Sequence, residues 1–230
     1  MATLATRELK IGKIIDKTLG VIERNAGPAL IFVVVLTALC VPISYFAVGS
    51  TSPLRLAGGE LLKAAAGIAC AYFLLVAMMR RTGLYSRTGG DAFLPYIGLS
   101  ILYALGVMVG VIALVIPGLL VMARWSIAQP LLIGGGFGVT EALGASWDRT
   151  RGSEFSIIVA GLALLIPVIA VAIAVSVFLE EGDPVRMVVS QLASSAGTVA
   201  SLSMGVALYG LIIGGGAAVA RPLDGSTIDA

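Results

Sequence analysis

The chain has 230 residues, of which 58% are hydrophobic and only 12% are charged, and its mean hydropathy is +1.03. An ordinary soluble domain carries about 25% charged residues, so a soluble fold of this length would lack the polar residues to cover its core. The formal net charge is +2 and histidine is absent. Because the basic residues cluster by loop, no nucleic-acid-binding face is expected. The lack of His removes the commonest general base and metal ligand.

Long apolar runs recur along the chain without the alternating pattern of half-buried strands. A segment of about 20 predominantly apolar residues is long enough to cross a bilayer as a helix, whereas the strands of a membrane barrel show a period of two. We therefore predict an all-α fold: a polytopic transmembrane helical bundle of about six spans, with an N-terminal amphipathic interfacial helix and a cytoplasmic elbow helix.

Residues 1–27 are predicted to form the interfacial helix. Charged residues interrupt this stretch, which lacks the apolar core and the small-residue cleavage site of a signal peptide. Its apolar face would lie in the headgroup region, and its basic residues would bind anionic headgroups. The alternative is a soluble leader whose basic residues only fix the orientation of the chain. The predicted apolar face contains Ile11, Ile15, Thr18, Leu19 and Ile22.

The transmembrane domain is predicted over residues 28–220, followed by a short cytoplasmic tail, residues 221–230. Pro28 would lie in the first turn of the first span, where a missing N–H costs no hydrogen bond. The Pro117-Gly118 pair would end the third span. The predicted spans cover about residues 28–48, 61–79, 95–116, 119–133, 155–179 and 193–220.

The fourth segment, residues 119–133, is short for a span. It either crosses the membrane with the help of tilt and snorkelling, or it is re-entrant. Short cytoplasmic loops carry an excess of Lys and Arg. If the segment crosses, eleven of the 15 basic residues are cytoplasmic, three are outside and Arg124 stays in the membrane. A re-entrant segment would move Arg149 and Arg151 outside and weaken this asymmetry. We therefore predict six spans with both termini cytoplasmic.

Arg124 lies within the apolar run and is the residue that most needs an explanation. An arginine at membrane depth costs ~2.5–3.5 kcal/mol on insertion scales unless it is paired or hydrated. Its guanidinium binds a carboxylate or a phosphate through two hydrogen bonds. Three hypotheses follow. Arg124 forms an internal pair with Glu141 or Asp148, it contacts a lipid phosphate from a hydrated cavity, or it anchors at the interface beside Trp125.

The residues after Gly138 are predicted to form the elbow helix, which begins at Val139 or Thr140 and is ended by Gly152. Asp148 and Arg151 are spaced to pair across one turn. The helix would be either a simple connection or a surface that contacts lipid or a partner. Its apolar face contains Val139, Ala142, Leu143, Ser146, Trp147 and Thr150.

Several short motifs surround Arg124: Pro117-Gly118, Ala123-Arg124-Trp125, Pro130, Glu141-Ala142-Leu143, Ser146-Trp147 and Gly152. Together with the layout of spans, they resemble the membrane domain attached to some glycerophosphoryl diester phosphodiesterases and the related YciC-like uncharacterised integral membrane proteins. The resemblance implies a six-helix membrane protein linked to the envelope or its lipids. The hydrolase domain of that family has no counterpart in this sequence, so the resemblance implies no phosphodiesterase activity.

The sequence shows no catalytic, cofactor-binding or metal-binding constellation. We expect a non-enzymatic integral membrane protein of the bacterial-type inner membrane, structural, lipid-interacting or accessory to envelope processes, without a cofactor. The alternative is a transporter or channel component for a small or amphiphilic solute. Expected partners are membrane lipids, a second copy of the chain or other membrane proteins. The candidate structural or lipid-headgroup site contains Arg124, Trp125, Glu141, Ser146, Trp147, Asp148 and Arg151.

Overall fold

The computed structural model describes residues 9–86, 91–180 and 182–213. All regular secondary structure in these ranges is α-helical, which confirms the predicted class. The helices in the described ranges are α1 Ile11–Arg24, α2 Ala26–Ala47, α3 Pro53–Arg81, α4 Phe93–Ala113, α5 Val115–Arg124, α6 Ala128–Gly135, α7 Val139–Arg149, α8 Glu154–Phe178 and α9 Pro184–Ile213.

Six helical segments of the described chain are long and apolar enough to cross a membrane, which confirms a bundle of about six spans. Four of them are the single helices α2, α3, α8 and α9. The third in chain order, Phe93–Ile112, lies within α4, and the fourth, Ile116–Gly135, combines α5 and α6. The polytopic membrane class follows from these helices.

Two of the long helices begin earlier than the sequence predicted. α3 begins at Pro53, in a stretch interpreted as loop, because proline is well suited to the first position of a helix. α9 begins at Pro184, because Asp183 Oδ1 accepts a hydrogen bond of 2.7 Å from Val185 N and so satisfies one of the free N–H groups of the first turn. The predicted end of the sixth span, residues 214–220, and the tail, residues 221–230, lie outside the described residues.

α1 is amphipathic as predicted, but its buried face packs on protein. Ile14, Thr18 and Val21 are buried, and α1 lies against α8 and α9. The predicted face was wrong in detail, since Leu19 is 45% exposed. Thr18 is accepted in this contact because its hydroxyl donates a hydrogen bond of 2.7 Å to Ile14 O, which leaves its methyl group for packing. Residues 1–8 of the predicted helix lie outside the described ranges.

α4 and α5 form a tight antiparallel hairpin joined through Leu114, whose backbone is extended. A Cβ added to Gly110 would lie 2.9 Å from Gly118 Cα, so the two backbones are in direct contact. The prediction that Pro117-Gly118 ends the third span was wrong. The helix α4 ends at Ala113 instead. Pro117 lies in the first turn of α5, where an N–H has no partner within the helix, so its missing N–H costs no hydrogen bond.

The predicted fourth segment is broken into two short helices by the turn at residues 125–127. Pro130 lies in the first turn of α6, where its missing N–H costs no hydrogen bond. The Trp125 ring packs over Gly106 of α4, and Gly98 lies near Val139. At the other end of the α5–α6 segment, Ser86 donates two hydrogen bonds to Gly134 O. One comes from its backbone N at 3.1 Å and the other from its Oγ at 2.6 Å.

These contacts follow α4 from its C-terminal end at the hairpin to its N-terminal end near the α3–α4 connection. With a rise of about 1.5 Å per residue, α4 is about 31 Å long, the thickness of a hydrocarbon core. The two ends of the α5–α6 segment therefore lie at opposite ends of a helix that can span the bilayer. The segment is therefore long and apolar enough to cross a membrane.

α7 runs back along α6 and also contacts α4 and α5. Four residues of its predicted apolar face, Ala142, Leu143, Ser146 and Thr150, are buried, whereas Trp147 is 38% exposed. The helix ends at Arg149, two residues earlier than predicted. Gly152 follows with a φ of 84°, a left-handed conformation that glycine adopts without strain.

α9 forms the centre of the bundle and contacts α1, α2, α3, α6 and α8. A Cβ added to Gly205 would lie 2.9 Å from Ser126 O, so only glycine admits the α5–α6 turn at this distance. In the absence of a hydrophobic drive within lipid, such close backbone contact is the main way in which membrane helices associate. α9 therefore fixes the position of the turn that carries Trp125 and follows Arg124.

Candidate functional site

Arg124 is the last residue of α5, and its side chain forms an ion pair with Glu154, the first residue of α8. The two side chains are 13% and 20% exposed, respectively. Arg124 Nη1 also donates a hydrogen bond of 2.9 Å to Trp147 O near the end of α7. One guanidinium therefore joins α5, α7 and α8.

The partner that the sequence suggested for Arg124 was wrong. Glu141 lies at the opposite end of α7, where its Oε2 accepts a hydrogen bond of 3.2 Å from Gly138 N and stabilises the start of the helix. Asp148 is exposed at the surface. Glu154 was missed because it lies beyond Gly152 in the sequence, yet it is the only acidic residue at the start of the long apolar run of α8. That position is the signal that could have identified it.

The backbone carbonyl of Arg124 is held as firmly as its side chain. α5 ends there, so this oxygen has no partner within the helix. Ser146 Oγ donates a hydrogen bond of 2.7 Å to it. Thr150 Oγ1 lies 3.1 Å from the same oxygen and 2.8 Å from Ser146 O, and it shares its proton between the two. Ser146 and Thr150 are both fully buried, and Thr150 was not among the predicted site residues.

The two tryptophans near Arg124 have different neighbours. The Trp147 ring lies under the Arg124 guanidinium, with 5.1 Å between Arg124 Cζ and the ring centroid. The Trp125 ring packs on Gly106 and lies 6.1 Å from the Tyr103 ring of α4. Trp125 is thus a packing residue inside the bundle, and Trp147 is the one placed as a partly exposed ring beside a cation.

The other basic residues of this region differ in setting. Arg149 Cζ lies 5.3 Å from the centroid of the Phe137 ring. Its Nη1 is buried without a hydrogen-bond partner among the residues that the structure describes, as is Arg124 Nε. Arg151 is exposed and does not form the predicted ion pair with Asp148 within the described chain. The structure therefore brings Arg124, Trp147 and Ser146 together and leaves Glu141 and Asp148 apart from them. Arg151 is exposed, and its charge acts on Glu154.

The contacts of Arg124 connect α5, α7 and α8. The positive charge of Arg124 is compensated by Glu154 and by a carbonyl dipole, so no free cation remains there for a phosphate. The ion pair and the hydrogen bond to Trp147 O lower the cost of this arginine at membrane depth, whereas its Nε lacks a partner among the described residues. We call the contact of Arg124, Ser146, Trp147, Thr150 and Glu154 the α5–α7–α8 junction.

Next to the junction, the bundle encloses a partly open cavity of about 660 Å³ between α2, α3, α4, α5, α8 and α9. Its volume is within the range of roughly 300–1,000 Å³ that is typical of small-molecule sites. Most of the wall is apolar, from residues such as Leu36, Ile68 and Leu165. Ala123 and Trp125, the two neighbours of Arg124, belong to the lining, so the junction forms part of the framework of the cavity.

Hydroxyl and amide side chains from three helices and the α5–α6 turn interrupt this apolar wall. The hydroxyl of Ser126 is buried without a hydrogen-bond partner among the described residues. On α9, the polar positions recur every three or four residues, which is the spacing of one helix face. That spacing was visible in the sequence, but it was not used to predict a site. The polar lining residues are Tyr96, Ser100, Tyr103, Ser126, Gln129, Ser194, Thr198 and Ser201.

Within the described ranges, no group of His, Cys, Asp and Glu residues is arranged to hold a metal ion. Cys40 and Cys70 are both free thiols in the structure. No protein-family model, curated protein or solved structure matches the chain. The α5–α7–α8 junction and the cavity are therefore the features from which a function is inferred.

Proposed function

We propose that this protein is a non-enzymatic integral protein of a bacterial-type inner membrane that binds a lipid-like molecule and acts as a structural or accessory component of the envelope. The observation that carries the proposal is the cavity of about 660 Å³ inside a bundle of six apolar helices. A cavity with an apolar wall and a few polar groups is the usual form of a site for a small amphiphilic molecule.

The α5–α7–α8 junction supports this proposal as a framework and not as the binding site. Because Arg124 is paired with Glu154, it holds the turn at residues 125–127 against the cavity. The resemblance to the membrane domain of the phosphodiesterase family, carried by the Pro117-Gly118 to Gly152 motifs, agrees with a role linked to lipids. We propose membership of that family on the same grounds.

We also propose that both termini are cytoplasmic. The end of α6 lies beside the α3–α4 connection, which follows Arg80 and Arg81. The Arg149 guanidinium lies over the ring of Phe137, which follows α6, so this charge is also near that connection. Short loops rich in Lys and Arg stay in the cytoplasm, so this end would face inward and the α4–α5 hairpin would face outward.

A single cysteine at Gly138 tests the topology, in a Cys40→Ala, Cys70→Ala background. Gly138 is exposed, and a Cβ there would only approach Glu141 Oε2 at 3.9 Å, so the substitution fits. An impermeant thiol reagent added to intact spheroplasts should label Gly138→Cys only after lysis. A matched variant, Thr51→Cys, lies exposed in the α2–α3 connection and should be labelled from outside. Labelling of Gly138→Cys in intact spheroplasts would refute the proposed topology.

The lipid interaction is tested by extracting the membrane into polymer-bounded nanodiscs, purifying the protein and then delipidating it stepwise in detergent. A lipid-like molecule should remain bound after the annular lipids have been removed. A variant in which the cavity is filled, Ser201→Trp, should lose it, since Ser201 lines the cavity and is exposed to it. Retention of the same molecule by Ser201→Trp would mean that it binds elsewhere.

A second function, a transporter or channel component for a small or amphiphilic solute, is favoured by one observation. The hydroxyl groups of Ser194, Thr198 and Ser201 line the cavity along a single face of α9. A row of hydroxyls is the kind of wall that a solute path through a bundle requires. Reconstitution in liposomes distinguishes the two functions, because a transporter moves a solute across the bilayer at a rate that Ser201→Trp abolishes.

A further inference from the structure

We propose that the cavity selects an uncharged amphiphile, a long-chain molecule whose headgroup carries hydroxyl or carbonyl groups, and that it excludes lipids with a phosphate. This inference rests on the proposed lipid interaction and specifies the ligand of that same cavity. Three observations support it: the charge of the lining, the helix end that borders it and the polar groups that it contains.

The first observation is that none of the described residues that line the cavity has a charged side chain. A phosphate in such a wall would have no cation to compensate it, and burial of an unpaired charge is far more costly than burial of a neutral polar group. The nearest arginine in sequence to the lining residues Ala123 and Trp125 is Arg124, and its charge is compensated by Glu154. A neutral headgroup carries no such cost.

The second observation concerns the C-terminal end of α5. The helix ends at Arg124, and the following residues Trp125 and Ser126 line the cavity. The C-terminal end of α5 carries partial negative charge, and α6, which begins at Ala128 and contributes Gln129 to the lining, carries partial positive charge at its N-terminal end. The two fields oppose each other, so the break between the helices supplies no net charge that would compensate a phosphate. It therefore acts in the same direction as the uncharged lining.

The third observation is the set of polar groups at one level of the cavity. Ser126 Oγ lacks a hydrogen-bond partner within the described chain, and Gln129 lies one turn further along. Across from them, α9 approaches the turn at Gly205, one helical turn from Ser201. Hydroxyl and carboxamide groups donate and accept, so they match a headgroup that does both. The chain of the ligand would then lie against the apolar wall.

The test uses a diacylglycerol with a photoactivatable diazirine in one acyl chain, bound to the full-length protein in nanodiscs of neutral lipid. Competition by unlabelled diacylglycerol is compared with competition by phosphatidic acid with the same acyl chains, which differs only in the phosphate. Peptides from α4 and α9 that contain lining residues should be labelled in a saturable way. We expect diacylglycerol to compete at least tenfold better than phosphatidic acid.

Two variants separate the polar contact from general damage. Gln129→Leu retains the size of the side chain and removes its hydrogen bonds, so diacylglycerol should bind about two- to tenfold more weakly. Gln191→Leu is the matched control, because Gln191 is also on a membrane helix but binds Ser195 and does not line the cavity. Both variants are compared after size-exclusion chromatography, so that only folded protein is labelled.

The outcomes are distinct. Equal competition by diacylglycerol and phosphatidic acid, with labelling that Ser201→Trp removes, would overturn the neutral selectivity and leave the proposed lipid interaction intact. Equal effects of Gln129→Leu and Gln191→Leu would refute the role of the polar groups. Labelling that neither saturates nor responds to Ser201→Trp would refute both this inference and the proposed function. A preference for diacylglycerol that Gln129→Leu weakens would support it.

Discussion

Arg124 connects three helices because both its side chain and its carbonyl have partners on other helices. The side chain binds Glu154 and the carbonyl of Trp147, and the carbonyl of Arg124 accepts from Ser146. A charge at this depth needs compensation, and the last carbonyls of a helix need hydrogen-bond donors. The junction meets both needs with a few residues. Loss of any of these groups should therefore loosen more than one helix.

We expect a double-mutant cycle to show coupling between Arg124 and Glu154 and none between Arg124 and Asp148. Arg124→Ala and Glu154→Ala should each destabilise the protein, and the double variant should cost less than the sum by about 1–3 kcal/mol. Free energies of unfolding from SDS titration in mixed micelles provide the measurement. An Arg124–Asp148 coupling above about 0.5 kcal/mol would contradict the assignment of Glu154 as the partner.

The carbonyl of Arg124 gives a second prediction at the same scale. Ser146→Ala should cost about 1 kcal/mol, because it removes the donor to a buried carbonyl, and Thr150→Val should cost a similar amount while keeping the shape of the side chain. Ser176→Ala is the control, since Ser176 bonds only to a carbonyl of its own helix on an exposed surface. Thermal unfolding in detergent would contradict the prediction if Ser176→Ala were as damaging as Ser146→Ala.

At the scale of elements, the α4–α5 hairpin depends on two glycines that let the backbones touch. Gly110→Ala places a Cβ 2.9 Å from Gly118 Cα, so the helices must separate and the protein should be destabilised. Gly144→Ala in α7 meets no atom within 4 Å and should stabilise the helix by about 0.5–1 kcal/mol. Melting temperatures that shift in the same direction for both variants would argue against close packing at the hairpin.

α1 gives the second prediction at this scale, because its buried face docks on α8 and α9. Ile14→Asp should release the helix, since an unpaired carboxylate would be buried in an apolar contact. Leu19→Asp should have little effect, because Leu19 is on the exposed side. Limited proteolysis measures the difference, because trypsin cleaves after the exposed residues Lys13 and Lys17 more rapidly when α1 is released. Equal cleavage of the two variants would indicate that α1 is not docked through Ile14.

At the scale of the whole molecule, α9 should be the most stable element. Its residues from 199 to 209 are largely buried, and it contacts helices on all sides. The α4–α5 hairpin is instead exposed along much of its length, with Ile112 and Ile116 at 76% and 79% exposure. Amide hydrogen exchange in detergent should therefore be slowest in α9 and faster near the hairpin tip. The reverse order would contradict the central position of α9.

The spans could be predicted from the sequence because length and composition alone decide them. The bounds could not, because Pro53 and Pro184 begin helices in stretches that read as loops, and Leu114 ends one before the Pro117-Gly118 pair. The face of α1 was misjudged because helical spacing allows more than one apolar stripe, and contact with α8 and α9 selects Ile14 and Val21. The periodicity of the sequence does not show which of these stripes is buried.

The candidate site was predicted in part. Arg124 was identified by its position in an apolar run, and Ser146 and Trp147 by the motif that follows it. Glu154 could not be identified as the partner because the pairing depends on the way α6 and α7 fold back, which returns α8 to the end of α5. The cavity was missed for the same reason, since its wall is made of residues from seven helices and the α5–α6 turn.

The ion pair of the junction also has a consequence for the order in which the chain is made. Arg124 leaves the ribosome about 30 residues before Glu154, which at roughly 5–20 residues per second is an interval of a few seconds. For all of that interval the arginine lacks its partner carboxylate, and for most of it Ser146 and Trp147 have not been made either. The short α5–α6 segment then has few contacts that hold it in the bilayer. The segment from α5 to the start of α8 should therefore insert into the membrane in a single late step, once Glu154 has been made and neutralises the charge of Arg124.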